Sequence, residues 1–158
     1  MRLKMSLKNI KNLILVVFLG FLLTACATSS RKPGKDYYTG SDTVKFLASG
    51  VPDRVFFATN RSSLHSGAEG TLNKQAAYIK SSGISVVVEG HADERGTREY
   101  NLALGERRAN AAKDYLMTYG VSADRISVIS YGKERPVDSG SNPLSWSKNR
   151  RSVTVKAN

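Results

Sequence analysis

The sequence predicts an α/β sandwich, with a mixed four-stranded sheet carrying helices on one face, and three observations support this reading. Short β-branched or aromatic runs recur at 54–57, 84–90, 125–132 and 152–156, as strands do. Two longer stretches repeat apolar residues at helical spacing: Ala68, Leu72, Ala76 and Ile79, then Leu102, Ala109, Ala112 and Leu116. The two kinds of segment alternate along the chain, which places helices against a sheet rather than in a separate bundle.

Taken in order, "SDTVKFLASG" (41–50) opens on a capping serine or aspartate and ends on glycine, so a short helix is expected there. "RVFF" (54–57) is a strand. The first long helix covers 67–82, and Gly83 closes it. "ISVVVEG" (84–90) is almost continuously apolar and predicts a central strand buried on both faces. Thr97 is placed to cap a second helix of about 22 residues that Gly120 stops. "RISVISYG" (125–132) is a third strand, "NPLSWSKNRR" (142–151) holds one or two helical turns, and "SVTVK" (152–156) alternates as a last strand.

The first 41 residues read differently. Net charge is +11 over 158 residues, and Arg2, Lys4, Lys8 and Lys11 supply four of those charges before any acid occurs. Without the first 25 residues, 20 basic side chains face 13 acidic ones, leaving +7. A surface of that sign favours polyanions without choosing among them. No basic stripe is interleaved with aromatics, which argues against nucleic acid. "LILVVFLGFLL" (13–23) is an apolar run of 11 residues. A membrane span needs roughly 20, whereas a secretory signal core has this length. The run ends in "LTAC" (23–26), whose Cys26 is the only cysteine in the chain. An internal disulfide is therefore impossible, and stability must come from the core. Residues 27–41, "ATSSRKPGKDYYTGS", are small, polar and turn-forming. They read as a flexible tether with an r.m.s. span of about 20 Å and a limit of about 50 Å. The domains expected are a signal segment (1–25), a tether (26–41) and one folded domain (42–158).

Between the second strand and the second helix, "EGHADERGTREYNLALGERRA" (89–109) packs His91, Asp93, Glu94, Arg95 and Gly96 into six residues. A zinc site would need three or four nitrogen or sulfur ligands. With only His65 and His91 available, and Arg95 adjacent, metal is disfavoured. Hydrolysis is disfavoured too, because neighbouring carboxylates on an extended stretch point to opposite sides. A binding clamp remains. Asn101, Leu104 and Arg108 share one helical face that looks back toward Asp93. An aspartate accepts from an ammonium, and an arginine forks onto a carboxylate. An amino-acid zwitterion would satisfy both. Equally, Asp93 could simply pin its own loop by pairing with Arg95 or Arg108.

The stretch "VEGHADERGTREYNLALGERRANAAKDYL" (88–116), with "GVSADRISVISYGKERPV" (120–137) and "SKNRRSVTV" (147–155), resembles the OmpA-like peptidoglycan-binding domain, in the form carried by peptidoglycan-associated lipoproteins. The resemblance spans nearly everything after residue 53. It implies a non-enzymatic, cofactor-free binder of the diaminopimelate residue in the wall's stem peptide. By position, the essential pair falls on Asp93 and Arg108, with Arg95, Thr97, Leu104 and Asn101 as further contacts. At Asn60 the family usually has an acid, so this chain departs from the pattern on the ammonium side. "LTAC" resembles a lipobox, which implies lipidation of Cys26. Alanine at 27, where aspartate would retain the protein in the inner membrane, implies an outer-membrane lipoprotein whose domain faces the periplasm. The resemblance also implies Tol partners, TolB above all, with roles in envelope integrity and cell division. The alternative it leaves open is a Tol-interaction module with weak wall binding.

Overall fold

The computed structural model describes residues 36–157. The expected signal segment, Cys26 and all of the tether before Asp36 lie outside the described residues.

Ten elements follow one another: β1 (Phe46–Ala48), β2 (Val51–Pro52), β3 (Arg54–Phe56), α1 (Ser66–Ser82), β4 (Val86–His91), α2 (Arg98–Thr118), a 3₁₀ turn (Ala123–Arg125), β5 (Ile126–Gly132), α3 (Pro143–Asn149) and β6 (Arg151–Lys156). The main sheet has the order β3-β6-β4-β5. β4 pairs parallel with β5, and β6 runs antiparallel to both β4 and β3. The sheet is therefore mixed, as the sequence predicts. α2 is the crossover between β4 and β5. A parallel pair needs such a connection, because a tight turn can only reverse the chain.

α1 buries the stripe expected of it, and α2 buries all of its expected stripe except Leu102. Ala68, Leu72, Ala76 and Ile79 of α1 meet Ala109, Ala112 and Leu116 of α2 in one core with Val86, Val88, Phe57 and Ile126. α1 ends at Gly83 in the left-handed region, as its capping signal requires. Gly90 and Gly105 let α2 lie directly on β4. A Cβ on Gly90 would sit 1.8 Å from the Gly105 carbonyl oxygen, and one on Gly105 would sit 2.9 Å from that of Gly90. This backbone contact fixes the last residues of β4 beneath the first turns of α2, where the functional residues lie.

Three expectations are corrected. Residues 41–50 form no helix, since β1 and β2 make a two-stranded antiparallel hairpin. Gly50, at φ +72°, is the turn that the sequence reading took for a helix stop. Val44 and Phe46 suit extended backbone better than a three-turn helix. β4 is not buried on both faces: Val86 and Val88 are covered, whereas Val87 and Glu89 on the other face are only half-buried. α1 and α2 both pack on the Val86 and Val88 side, so the other face keeps the alternation of a one-sided sheet. Leu102 is 42% exposed and Leu104 takes its place in the buried stripe. The stripe follows α2's contact with β4, and Leu102 lies on its shoulder.

Candidate functional site

Among the described residues, Arg108 is the least exposed charged side chain. It sits on α2 below the Gly90–Gly105 contact and exposes none of its surface. Its guanidinium donates to three backbone carbonyls: Nε to Arg61 (2.9 Å), Nη1 to His91 (2.8 Å) and Nη2 to Ala58 (3.2 Å). Among the described residues, no carboxylate is paired with it. A guanidinium carries five N–H groups, so one on each terminal nitrogen is uncommitted. Burial pushes Arg108 down to about 10, and the neighbouring Arg150 pushes the same way, with Asp93 offsetting part of it. A buried cation that lacks an anion is a costly arrangement, and it marks a place prepared for one.

Arg108 lies at the floor of an open cleft of about 360 Å³ lined by Thr59, Asn60, Asp93, Arg95, Gly96, Tyr100, Asn101, Leu104 and Arg108. The sequence-derived clamp is thus brought together, with Asn101, Leu104 and Arg108 on one face of α2 and Asp93 on the loop after β4. Asp93 is 7% exposed. Its Oδ1 accepts from the Arg95 backbone N–H (3.2 Å) and Nε (3.0 Å), and its Oδ2 from Arg95 Nη2 (2.7 Å) and Arg150 Nη1 (3.3 Å). Burial alone would raise its pKa, but the hydrogen bonds and charge of Arg95 and then Arg150 outweigh that and hold it below the usual carboxylate value. Arg95 is clamped on Asp93 and lies over the Trp146 ring, 4.2 Å from its centroid. It is also 41% exposed along its side chain, which makes it the one partner of Asp93 free to swing away.

The remaining residues play supporting parts. Asn101 donates from Nδ2 to the Arg95 carbonyl (2.8 Å) and so holds the 93–96 loop on the helix. Leu104 forms a buried apolar wall. Thr97 caps α2, its hydroxyl accepting from the Tyr100 N–H at 3.2 Å, and it is not among the residues lining the cleft. Asn60 stands at φ +54°, a conformation that asparagine tolerates better than most side chains. Its Oδ1 accepts from the Tyr100 hydroxyl across the mouth of the cleft.

Sequence reasoning missed Tyr100, Thr59 and Arg150. Arg150 is 3% exposed and is the second cation on Asp93, 57 positions away. Arg95 and Arg150 therefore both hold the Asp93 carboxylate, and Arg108 lines the same cleft. Glu94 points elsewhere: its carboxylate accepts from Trp146 Nε1 (2.8 Å) and Ser141 Oγ (3.1 Å), so the two adjacent acids do not face a common bond. His65 caps α1 through Nδ1, which accepts from the Ala68 N–H at 3.2 Å. No group of three potential metal ligands occurs among the described residues.

Comparison with known proteins decides what this cleft belongs to. Residues 56–150 match the model of the OmpA family. A peptidoglycan-associated lipoprotein of Mesorhizobium japonicum is 42% identical over 154 residues, covering 92% of each chain. The chain belongs to the OmpA family, in its peptidoglycan-associated lipoprotein branch. A crystal structure of the peptidoglycan-associated lipoprotein from Burkholderia pseudomallei superposes with a TM-score of 0.65 at 38% identity, covering 66% of this chain and 90% of that one. The C-terminal domain of Helicobacter pylori MotB, at 20% identity and a TM-score of 0.62, shares the fold alone. Peptidoglycan-associated lipoproteins and OmpA-like domains are structural peptidoglycan-binding proteins rather than enzymes.

Proposed function

We propose that this chain is an outer-membrane lipoprotein, lipidated at Cys26, which binds the diaminopimelate-bearing stem peptide of peptidoglycan without covalent bonds. The observation that carries the proposal is the buried, acid-free Arg108 at the floor of a cleft whose wall holds Asp93. The side-chain end of diaminopimelate is a zwitterion. Its carboxylate takes the two uncommitted N–H groups of Arg108, and its ammonium takes an oxygen of Asp93. Both oxygens of Asp93 are engaged, so the ammonium must displace Arg95, whose exposed side chain has the cleft mouth and Trp146 to move against. With Arg108 fully covered, the Asn60–Tyr100 bridge must also give way as the guest enters.

This arrangement binds the carboxylate more strongly than the ammonium, since Arg108 has no acid paired with it among the described residues, whereas Asp93 is already held by Arg95 and Arg150 and Asn60 adds no charge. Single-site affinity is correspondingly modest. Many stems on one sacculus, met by a membrane-held domain, convert modest affinity into retention. The domain faces the periplasm in this reading and joins the outer membrane to the wall, with the Tol proteins, TolB among them, as its protein partners in envelope integrity and division.

Co-sedimentation with purified sacculi tests the reading. The parent should pellet and Arg108→Ala should stay in the supernatant. If neither pellets, the chain is chiefly a Tol-interaction module. Release of soluble wall fragments would reveal an enzyme instead.

A further inference from the structure

The boundary drawn from sequence places residues 36–41 in the tether. The structure places them on the domain. Tyr37 stacks on the His65 ring, with centroids 3.6 Å apart and planes 14° apart. Tyr38 meets Phe56 edge-on at 4.9 Å. Asp36 reaches furthest. Its carboxylate accepts from the Thr59 backbone N–H (3.0 Å) and hydroxyl (3.2 Å). Arg150 Nη2 donates to its backbone carbonyl and lies 3.5 Å from its Oδ1. Both partners belong to the binding cleft: Thr59 lines it, and Arg150 is the buried cation on Asp93.

We infer that Asp36, at the membrane-side end of the domain, is a positioning residue of the stem-peptide cleft. This rests on the proposed function above. Two physical effects act in the same direction. Thr59 precedes Asn60 and Arg61 on the loop whose Ala58 and Arg61 carbonyls hold Arg108. Untying that loop from Asp36 leaves more backbone to be ordered when the guest binds, which costs affinity. Arg150 divides its terminal nitrogens between Asp36 and Asp93. Without the Asp36 carboxylate, its charge turns wholly onto Asp93 and competes with the guest's ammonium. Docking of 36–41 therefore primes the cleft, and tension along the tether would pull first on the residue that primes it.

The test uses the full-length chain in detergent and free meso-diaminopimelate as probe, with the dissociation constant, the melting temperature and the Arg150 Nε–H resonance as readouts. Asp36→Asn should weaken binding roughly five- to tenfold, about the net contribution of one hydrogen bond, because the residue acts on the guest only through its neighbours. Its melting temperature should stay within about 2 °C of the parent, because the Asp36 side chain is half-exposed and Arg150 keeps Asp93 and the backbone carbonyls of Asp36 and Phe57. Arg150 Nε–H should shift, and Asp36→Glu should recover most of the affinity. Unchanged or tighter binding by Asp36→Asn, in a series where the parent binds and Arg108→Ala does not, overturns the inference and leaves the proposed function standing. No binding by the parent overturns both.

Discussion

The sharpest prediction concerns what Arg108 recognises. Burial brings the Arg108 guanidinium from its ordinary value down to about 10, which disfavours the cation by about 3 kcal/mol. A guest carboxylate that recovers a deficit of this size gains on the order of a hundredfold in affinity. Truncation alone is ambiguous, because Arg108 also supports three carbonyls, and stranding buried acceptors costs ~1–3 kcal/mol each. Arg108→Ala should therefore lose stability as well as binding. A double-mutant cycle separates the two effects. Isothermal titration would compare meso-diaminopimelate with its monoamide at the same carbon, for the parent, Arg108→Lys and Arg108→Ala. The parent should prefer the acid by ten- to a hundredfold. Arg108→Lys should keep part of that preference, because a point charge replaces a fork. Arg108→Ala should show none, even where some binding persists. If Arg108→Ala still prefers the acid, another group reads the carboxylate and the assignment fails.

Other outcomes are open to direct measurement. Asp93→Asn should weaken diaminopimelate binding at least tenfold and also lower stability by roughly 2–4 kcal/mol, since Arg150 loses one of its two acidic partners and Arg95 its only one; urea denaturation beside titration checks both. Asn60→Asp should tighten binding by several-fold, because an acid beside Tyr100 restores charge for the ammonium without disturbing the left-handed backbone; an unchanged constant would mean that the guest's ammonium never approaches position 60. Burial, then Arg151, Arg54 and Arg135, push His91 down to about 3. The unfolded chain takes that proton near 6.5 and the folded one does not, so stability is full above pH 6.5 and falls by up to about 5 kcal/mol as pH drops toward 3. His91→Gln should flatten that slope in urea titrations between pH 7 and 4. Gly90→Ala should destabilise severely, since its Cβ would strike a backbone oxygen that cannot retreat; circular dichroism would show it.

What could be read from sequence was whatever is local or periodic. The apolar stripes of α1 and α2 announce themselves because burial follows the helical repeat, and Gly83 and Thr97 end and begin helices through contacts within one turn. Asp93 and Arg108 were placed together because a strand, a loop and a helix of known pitch link them. The β1–β2 hairpin was misread because serine, aspartate and glycine punctuate helices and turns alike, and only the partner strand decides between them. Leu102 was misplaced because periodicity locates a face to within about one residue. Arg150 and Asp36 were out of reach in a different way. Their partners lie 57 and 114 positions off, and nothing in a local pattern encodes which distant acid a buried arginine will meet.

Docking at Asp36 also shortens a leash. If Cys26 is the lipid anchor, as proposed, the run between anchor and domain counts residues 27–35 rather than 27–41. Its greatest reach drops from about 50 Å to about 30 Å. For a chain of this kind, local concentration scales as roughly the −3/2 power of length, so the site meets wall strands near the anchor about twice as often. The same shortening excludes any strand lying deeper than the leash and the domain together can stretch. On the proposed anchoring, six residues laid against the surface would set which layer of the wall the protein can touch.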